Sequence, residues 1–287
     1  MPNIFNGQVI GLSKTSGGTP SAFCRAVSGG TFSRNPNNVV KGGIGGQRHV
    51  RKGADEVSLD WTCVGPAKTD LALWFPTTVG VQVASFPDFL VEVDDGSNGC
   101  ELVVSGGQPA SCTISVGEGP DAEVEYSFSA KFTTATEQAV GTDVAVYNSV
   151  LGHTINDITV QQAAADYGIL SFELRGDLGI AMVNAMDTKA SDSQTIPTAY
   201  AITKQDVTFT CSSTDEWQLD SMDGDTWTAG DIVITMANGT GAEDITITLD
   251  DFVPDEFNMP LEAEDIEKFG HSFIPGAGTA YNRVQIS

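Results

Sequence analysis

The residues able to do chemistry are scattered along the chain, and their spacing is what decides how they are read. His49, His153 and His271 stand far apart and form neither an H-x-H nor an H-E-x-x-H pair, so the spacing that gives zinc two ligands from one element is missing. Cys24, Cys63, Cys100, Cys112 and Cys211 are odd in number and show no metal spacing; in a large cytosolic chain such cysteines act as small buried hydrophobes. Cys100 and Cys112 flank a turn at Ser105-Gly106-Gly107, but centring a hairpin there sets Cys112 opposite Val103, so no disulfide is expected. Gly42-Gly43-Ile44-Gly45-Gly46-Gln47-Arg48 could nest a phosphate, yet it follows no strand and opens no helix. Asp94 to Gly99 and Asp220 to Asp225 lack the ligand spacing of a calcium loop and are turns. Asp250-Asp251 and Asp255-Glu256 have the character of a solvated strand rim. With no nucleophile elbow and no phosphate-binding P-loop, no enzyme, cofactor or metal site is expected.

The elements around these residues are strands. In Val57 to Cys63, alternate residues Val57, Leu59, Trp61 and Cys63 are apolar, and Val124, Tyr126, Phe128 and Ala130 repeat the pattern. Gly, Asn and Asp break the strands, as in an all-β chain. Phe89 to Val93, Glu101 to Val104 and Thr113 to Val116 form an expected meander. A short helix is expected over Ala67 to Phe75, with Leu71 and Trp74 inward, and a second over Asp215 to Met222.

Matched anchors imply that one β-domain occurs twice. Val9-Ile10 and Phe23-Cys24-Arg25 correspond to Ile158-Thr159 and Phe172 to Arg175; Val57 to Cys63 corresponds to Val207 to Cys211. Phe89 to Gly96 corresponds to Ile232 to Gly239, Ile114 to Val116 to Ile247 to Leu249, and Glu123 to Tyr126 to Glu256 to Met259. The expected domains are residues 1–140 and 141–287, each a β-sandwich or barrel with one short helix; segment 133–152 is the join.

The charge is divided. Of a net −24, residues 1–54 hold seven Lys and Arg and no acid, so the rest carries −31. Ser28 to Gly53 shows no periodicity and is expected to be a long basic loop, with Arg34, Lys41, Arg48, Arg51 and Lys52 lying on the acidic body of a neighbouring copy. An adaptation to a saline host is another reading of the acid excess. No apolar run is long enough for a membrane helix, and Met1 to Asn6 shows no signal-peptide start, so a cytosolic origin is expected.

This layout resembles the tail tube proteins (major tail proteins) of long-tailed, non-contractile siphovirus-type bacteriophages and related archaeal viruses. The matching elements are the loop Ser28 to Gly53, the strand Val57 to Cys63, the helix Ala67 to Phe75 and the strands from Phe89 to Phe132. The resemblance implies a structural virion protein, assembled in the host cytoplasm, whose rings of six tube domains stack into a conduit for genomic DNA. A duplicated chain would supply three copies per ring. It also implies a tape measure protein inside, terminator and tip proteins at the ends, and transient, sequence-independent contact with DNA. An acidic wall would let phosphates slide, since cationic surfaces hold DNA through counterion release. Two other readings remain: a tandem receptor- or carbohydrate-binding module using Trp61, Trp74, Trp217 and Trp227, and a capsid decoration protein.

Overall fold

The computed structural model describes residues 9–16, 19–35, 39–42, 48–51, 56–75, 83, 86–94, 99–138, 152–162, 165–183, 199–214, 230–239, 244–258, 268–276 and 284–287. The protein is all-β. The first half contributes β1 (Val9–Ser16), β2 (Thr19–Ala22), β3 (Cys24–Asn35), β4 (Val39–Gly42), β5 (Arg48–Arg51), β6 (Glu56–Pro66), β7 (Asp88–Asp94), β8 (Gly99–Ser105), β9 (Gln108–Val116), β10 (Glu125–Phe132) and β11 (Thr134–Gln138). The second contributes β12 (Ile158–Gln162), β13 (Ala165–Tyr167), β14 (Ile169–Val183), β15 (Ala199–Ser213), β16 (Gly230–Met236), β17 (Ile245–Asn258), β18 (Phe269–Pro275) and β19 (Val284–Ile286). Alternation makes these strands: in β6 and β10 every second residue is buried, and the residues between face outward.

The strand pairing of the first half recurs in the second. In the first, β11, β8, β7, β1 and β2 form one sheet, while β3, β6, β10 and β9 lie side by side in another. In the second, β19, the front of β17, β16, β12 and β13 repeat the first set, and β14, β15, β18 and the rear of β17 repeat the second. One device differs. The first half leaves one sheet and enters the other at Gly106 (φ 66) and Gly107, between β8 and β9, whereas β17 serves both sheets by bending at Asp251 (φ 60). The two halves meet at a joint inside the twelve-stranded sheet, because β9 pairs with β14 from Val116↔Phe172 to Ser111↔Asp177. The two halves share a sheet.

Three expectations change. The third strand of the expected meander, β9, pairs with β10 and β14 rather than returning along β8. The physical reason is the left-handed Gly106 and the crowding at Gly107, where an added Cβ would stand 2.4 Å from Cε1 of Phe132; the chain crosses there instead of reversing. Consequently the last matched anchors shift by one strand. Ile247 to Leu249 takes the place of β8, not of Ile114 to Val116, and Glu256 to Asn258 takes the place of β9, whose partner β18 is the counterpart of β10. The basic segment is also not a bare loop. β3 runs through Ser28 to Asn35 against β6, and β4 with β5 forms a two-stranded hairpin.

Lys68–Leu71 is a single helical turn continued by a 3-10 turn, Ala72–Trp74, with Leu71 and Trp74 buried as expected. The second expected helix, 215–222, and the region 139–151 of the join lie outside the described residues. The first half's core is an aromatic lattice of Phe23, Trp61, Trp74, Phe89 and Phe128, with several edge-to-face contacts of about 5 Å. The core continues into the second half through Phe209, Ile234, Ile247 and Phe273. Tyr126 reaches Met236 Sδ (3.6 Å), and Tyr200 donates its hydroxyl proton to the Phe132 carbonyl (3.1 Å).

Candidate functional surface

The inner face of the shared sheet is apolar, so whatever the sheet does toward solvent is done by its outer face. That face is a field of hydroxyls crossed by carboxylates. One row runs over six strands and both halves: Glu125, Ser115, Glu173, Thr210, Ser272 and Glu256 stand opposite one another in successive ladders. The same six residues line a shallow groove of about 700 Å³. A second row passes through Thr62, Ser127, Thr113, Arg175 and Thr208, and a third through Thr31, Asp60, Ser129, Ser111, Asp177 and Asp206. Neighbouring hydroxyls bond each other, with Ser33 Oγ 2.6 Å from Ser58 Oγ and Thr62 Oγ1 3.1 Å from Ser127 Oγ.

Cations on this face are neutralised where they stand. Lys131 is bridged to Glu56, Lys204 to Asp206, and Arg175 Nε to Asp177 Oδ2 at 2.8 Å. The Asp177 hydrogen bond and charge raise the Arg175 guanidinium's proton affinity further, with a smaller push from Glu173. Asp60, Glu125, Glu173 and Glu256 make no salt bridge with a described residue, so they set the sign of the face. Among the described residues, the surplus of carboxylates gives this face a negative potential.

No protein-family model and no curated protein matches the chain.

The predicted contact residues lie in β3 and in the β4–β5 ribbon. Arg34 is exposed in β3, at the end of its ladder with β6. Lys41 lies in β4, opposite His49, and Arg48 and Arg51 lie in β5 opposite Gly42 and Val39, so one ribbon gathers three of the basic residues. Lys52 lies outside the described residues. A two-stranded ribbon alone is marginal in water, and this one joins neither larger sheet.

Groups that could suggest other chemistry are interior. Cys24, Cys63, Cys112 and Cys211 are free thiols in the core. Burial, then the Cys24 hydrogen bond, pushes the Cys63 thiol well up, away from the reactive thiolate. Cys112, unpaired as expected, is raised by burial. Ser213 Oγ lies 2.8 Å from His271 Nε2, a distance suited to nucleophile and base, but both residues are buried. Trp61 and Trp74 are core residues, which removes them as ligand platforms; Trp217 and Trp227 lie outside the described residues. Among the described residues no three His, Cys, Asp or Glu gather as a metal site, and no helix is long and apolar enough to cross a membrane.

Sequence reasoning missed the hydroxyl field because it followed only the apolar half of each alternation. The signal was present in Glu125-Tyr126-Ser127-Phe128-Ser129-Ala130-Lys131 and in Val207-Thr208-Phe209-Thr210, where every outward position is polar and most are hydroxyls.

Proposed function

We propose that this chain is a tail tube subunit, and that three copies close into a pseudo-six-fold ring that stacks into a conduit for duplex DNA. The observation that carries this reading is the unbroken outer face, in which Glu125, Ser115, Glu173, Thr210, Ser272 and Glu256 follow one another across both halves. A wall of short hydroxyls offers DNA only weak, exchangeable contacts, and the surplus carboxylates prevent the counterion-releasing grip that would stall it. Recurrence of one pairing scheme gives each chain two equivalent wall segments, as a pseudo-symmetric ring needs. The basic ribbon β4–β5 is then a contact between subunits rather than part of the wall. In this reading the protein resides in the virion tail, with tape measure, terminator and tip proteins as partners. Electron microscopy of the purified protein tests it: rings with three-fold symmetry and stacked tubes are expected. Particles that stay monomeric at every salt and protein concentration would overturn it.

A further inference from the structure

We infer that Lys14 and Asp70 become joined by an amide bond that forms within the folded chain, a covalent tie between the two sheets to which the first half contributes. This goes beyond the ring-forming reading and does not depend on it.

The two side chains meet across layers. Lys14 belongs to β1, and Asp70 to the helical turn Lys68–Leu71 that follows β6. β1 lies in the five-stranded sheet and β6 in the twelve-stranded one, and the two sheets share no ladder. Lys14 Nζ stands 2.7 Å from Asp70 Oδ2, and only 9% of the Asp70 side chain is exposed. The contact nevertheless lacks hydrogen-bond alignment: Asp70 Oδ2 is shut off from solvent and, among the described residues, has no partner in hydrogen-bond geometry. A well-formed ion pair at this distance aligns its N–H with the carboxylate, which is where a charge-assisted bond gets its strength. Here the nitrogen is close to the carboxyl group without being held as a donor.

The surroundings are apolar. Lys14 shares its face of β1 with the buried Leu12 and stands opposite the buried Phe89 in β7. Asp70 is followed by the buried Leu71, and its turn is fastened to Phe23 by the Ala67 N–H, which donates to the Phe23 carbonyl (3.1 Å). Burial raises the Asp70 carboxyl above its ordinary value, against the opposing pull of Lys14. Away from water, a cation and a carboxylate gain by becoming a neutral pair.

The reaction balances with the two side chains alone. One proton passes from the Lys14 ammonium to the Asp70 carboxylate, leaving an amine beside a carboxylic acid. The Nζ lone pair attacks Cγ and the C–N bond forms. The bond from Cγ to the hydroxyl breaks, and the leaving hydroxyl takes a second proton from the nitrogen. One water is released, and neither oxidant nor co-reactant is consumed. Holding amine and acid in contact supplies the effective concentration that free side chains lack.

The device is confined to one half. β12 stands where β1 does in the repeated scheme, and its Ile158-Thr159-Val160-Gln161-Gln162 contains no lysine. The scheme is therefore built once without the pair, so the fold does not require it. A single helical turn is marginal by itself, and the bond fixes this one to β1.

The test is mass spectrometry of the full chain, stored in the folded state and then denatured and reduced. The expected result is a species lighter than the sequence by one water, whose fraction grows with storage and whose digest contains a branched peptide joining Lys14 to Asp70. Lys14→Arg keeps the cation but not the amine, so its mass should stay at the full value. Wild-type chain kept in urea throughout should also stay at full mass, because the contact exists only in the folded state. Folded wild-type protein that keeps its full mass overturns the inference, whether or not the variant folds. So does a water lost equally by Lys14→Arg, or a branched peptide that joins other residues. None of these results bears on whether rings form.

Discussion

Gly176 of β14 lies against the ring of Phe75, close enough that a Cβ added to the glycine would stand 2.8 Å from the ring's Cε1. Phe75 ends the short helical segment of the first half, and Gly176 sits opposite Cys112 at the joint between the halves. A strand from one half thus packs against the helix of the other by giving up a side chain. Gly176→Val should cost about 1–3 kcal/mol, the usual range for overpacking. Urea denaturation measures it, and the double variant Gly176→Val with Phe75→Ala should cost less than the two single losses added together. Additive losses would mean the two residues do not share one space.

The outer face should repel DNA because of a few carboxylates. Glu125, Glu173 and Glu256 are exposed, so changing all three to Lys should leave the fold intact. The variant should gain sequence-independent affinity for duplex DNA, falling with salt at a log–log slope of about −3 if three phosphates are engaged. Wild-type protein in the same assay should show no retention. Equal retention of DNA by the two proteins would remove the role given to this face.

Tyr200 ties the halves together from the other side of the joint, through its hydroxyl on the Phe132 carbonyl. Burial, then the nearby Glu56 charge, raises the Tyr200 hydroxyl from 10.0 to about 12. The folded state therefore holds this proton more tightly than the unfolded chain does. The resulting stability is fully present below pH 10 and is lost as the pH rises toward 12. Tyr200→Phe should lose about 1 kcal/mol near neutral pH, where a buried carbonyl is left unpaired. The gap between the two proteins should narrow from pH 10 upward. A gap independent of pH would show that the hydroxyl is not held as a neutral donor.

What the sequence made legible was the apolar side of the strands. Val57 to Cys63 and Val124 to Phe132 alternate so regularly that the first half's core, including Trp61 and the inward Leu71 and Trp74, could be named in advance. β3 was hidden because Ser28 to Asn35 contains two glycines and no period. Its extended form comes from its ladder with β6, a tertiary cause that local propensity does not record. The crossing at Gly106-Gly107 was hidden for a related reason. A Gly-Gly pair marks a turn equally well whether the chain reverses in one sheet or leaves it for another, and the difference lies in β9 pairing with β10 and β14 instead of β8. The outer face was spelled out in the polar half of the alternation, but its meaning depends on β9 meeting β14, and that is a matter of pairing rather than pattern.

The ribbon β4–β5 can be removed without touching the sheet, and this gives the sharpest test of its role. Asn35 and Glu56 are ladder partners, so the chain ends left by deleting residues 36–55 already lie side by side. An Asn-Gly pair suits a two-residue hairpin connection there, because both residues accept the positive φ of a type I′ turn. Lys41, Arg48, Arg51 and Lys52 are lost, while Arg34 keeps its place in β3. Because β4 and β5 pair only with each other among the described residues, the unfolding free energy measured in urea should change by no more than about 0.5 kcal/mol, the range expected for a surface change. Tubes should nevertheless fail to form. Shortened protein that assembles tubes of normal length would show that the basic ribbon makes no contact between subunits. A large loss of stability would instead show that the ribbon props up the sheet it leaves, and would assign it a role within the fold.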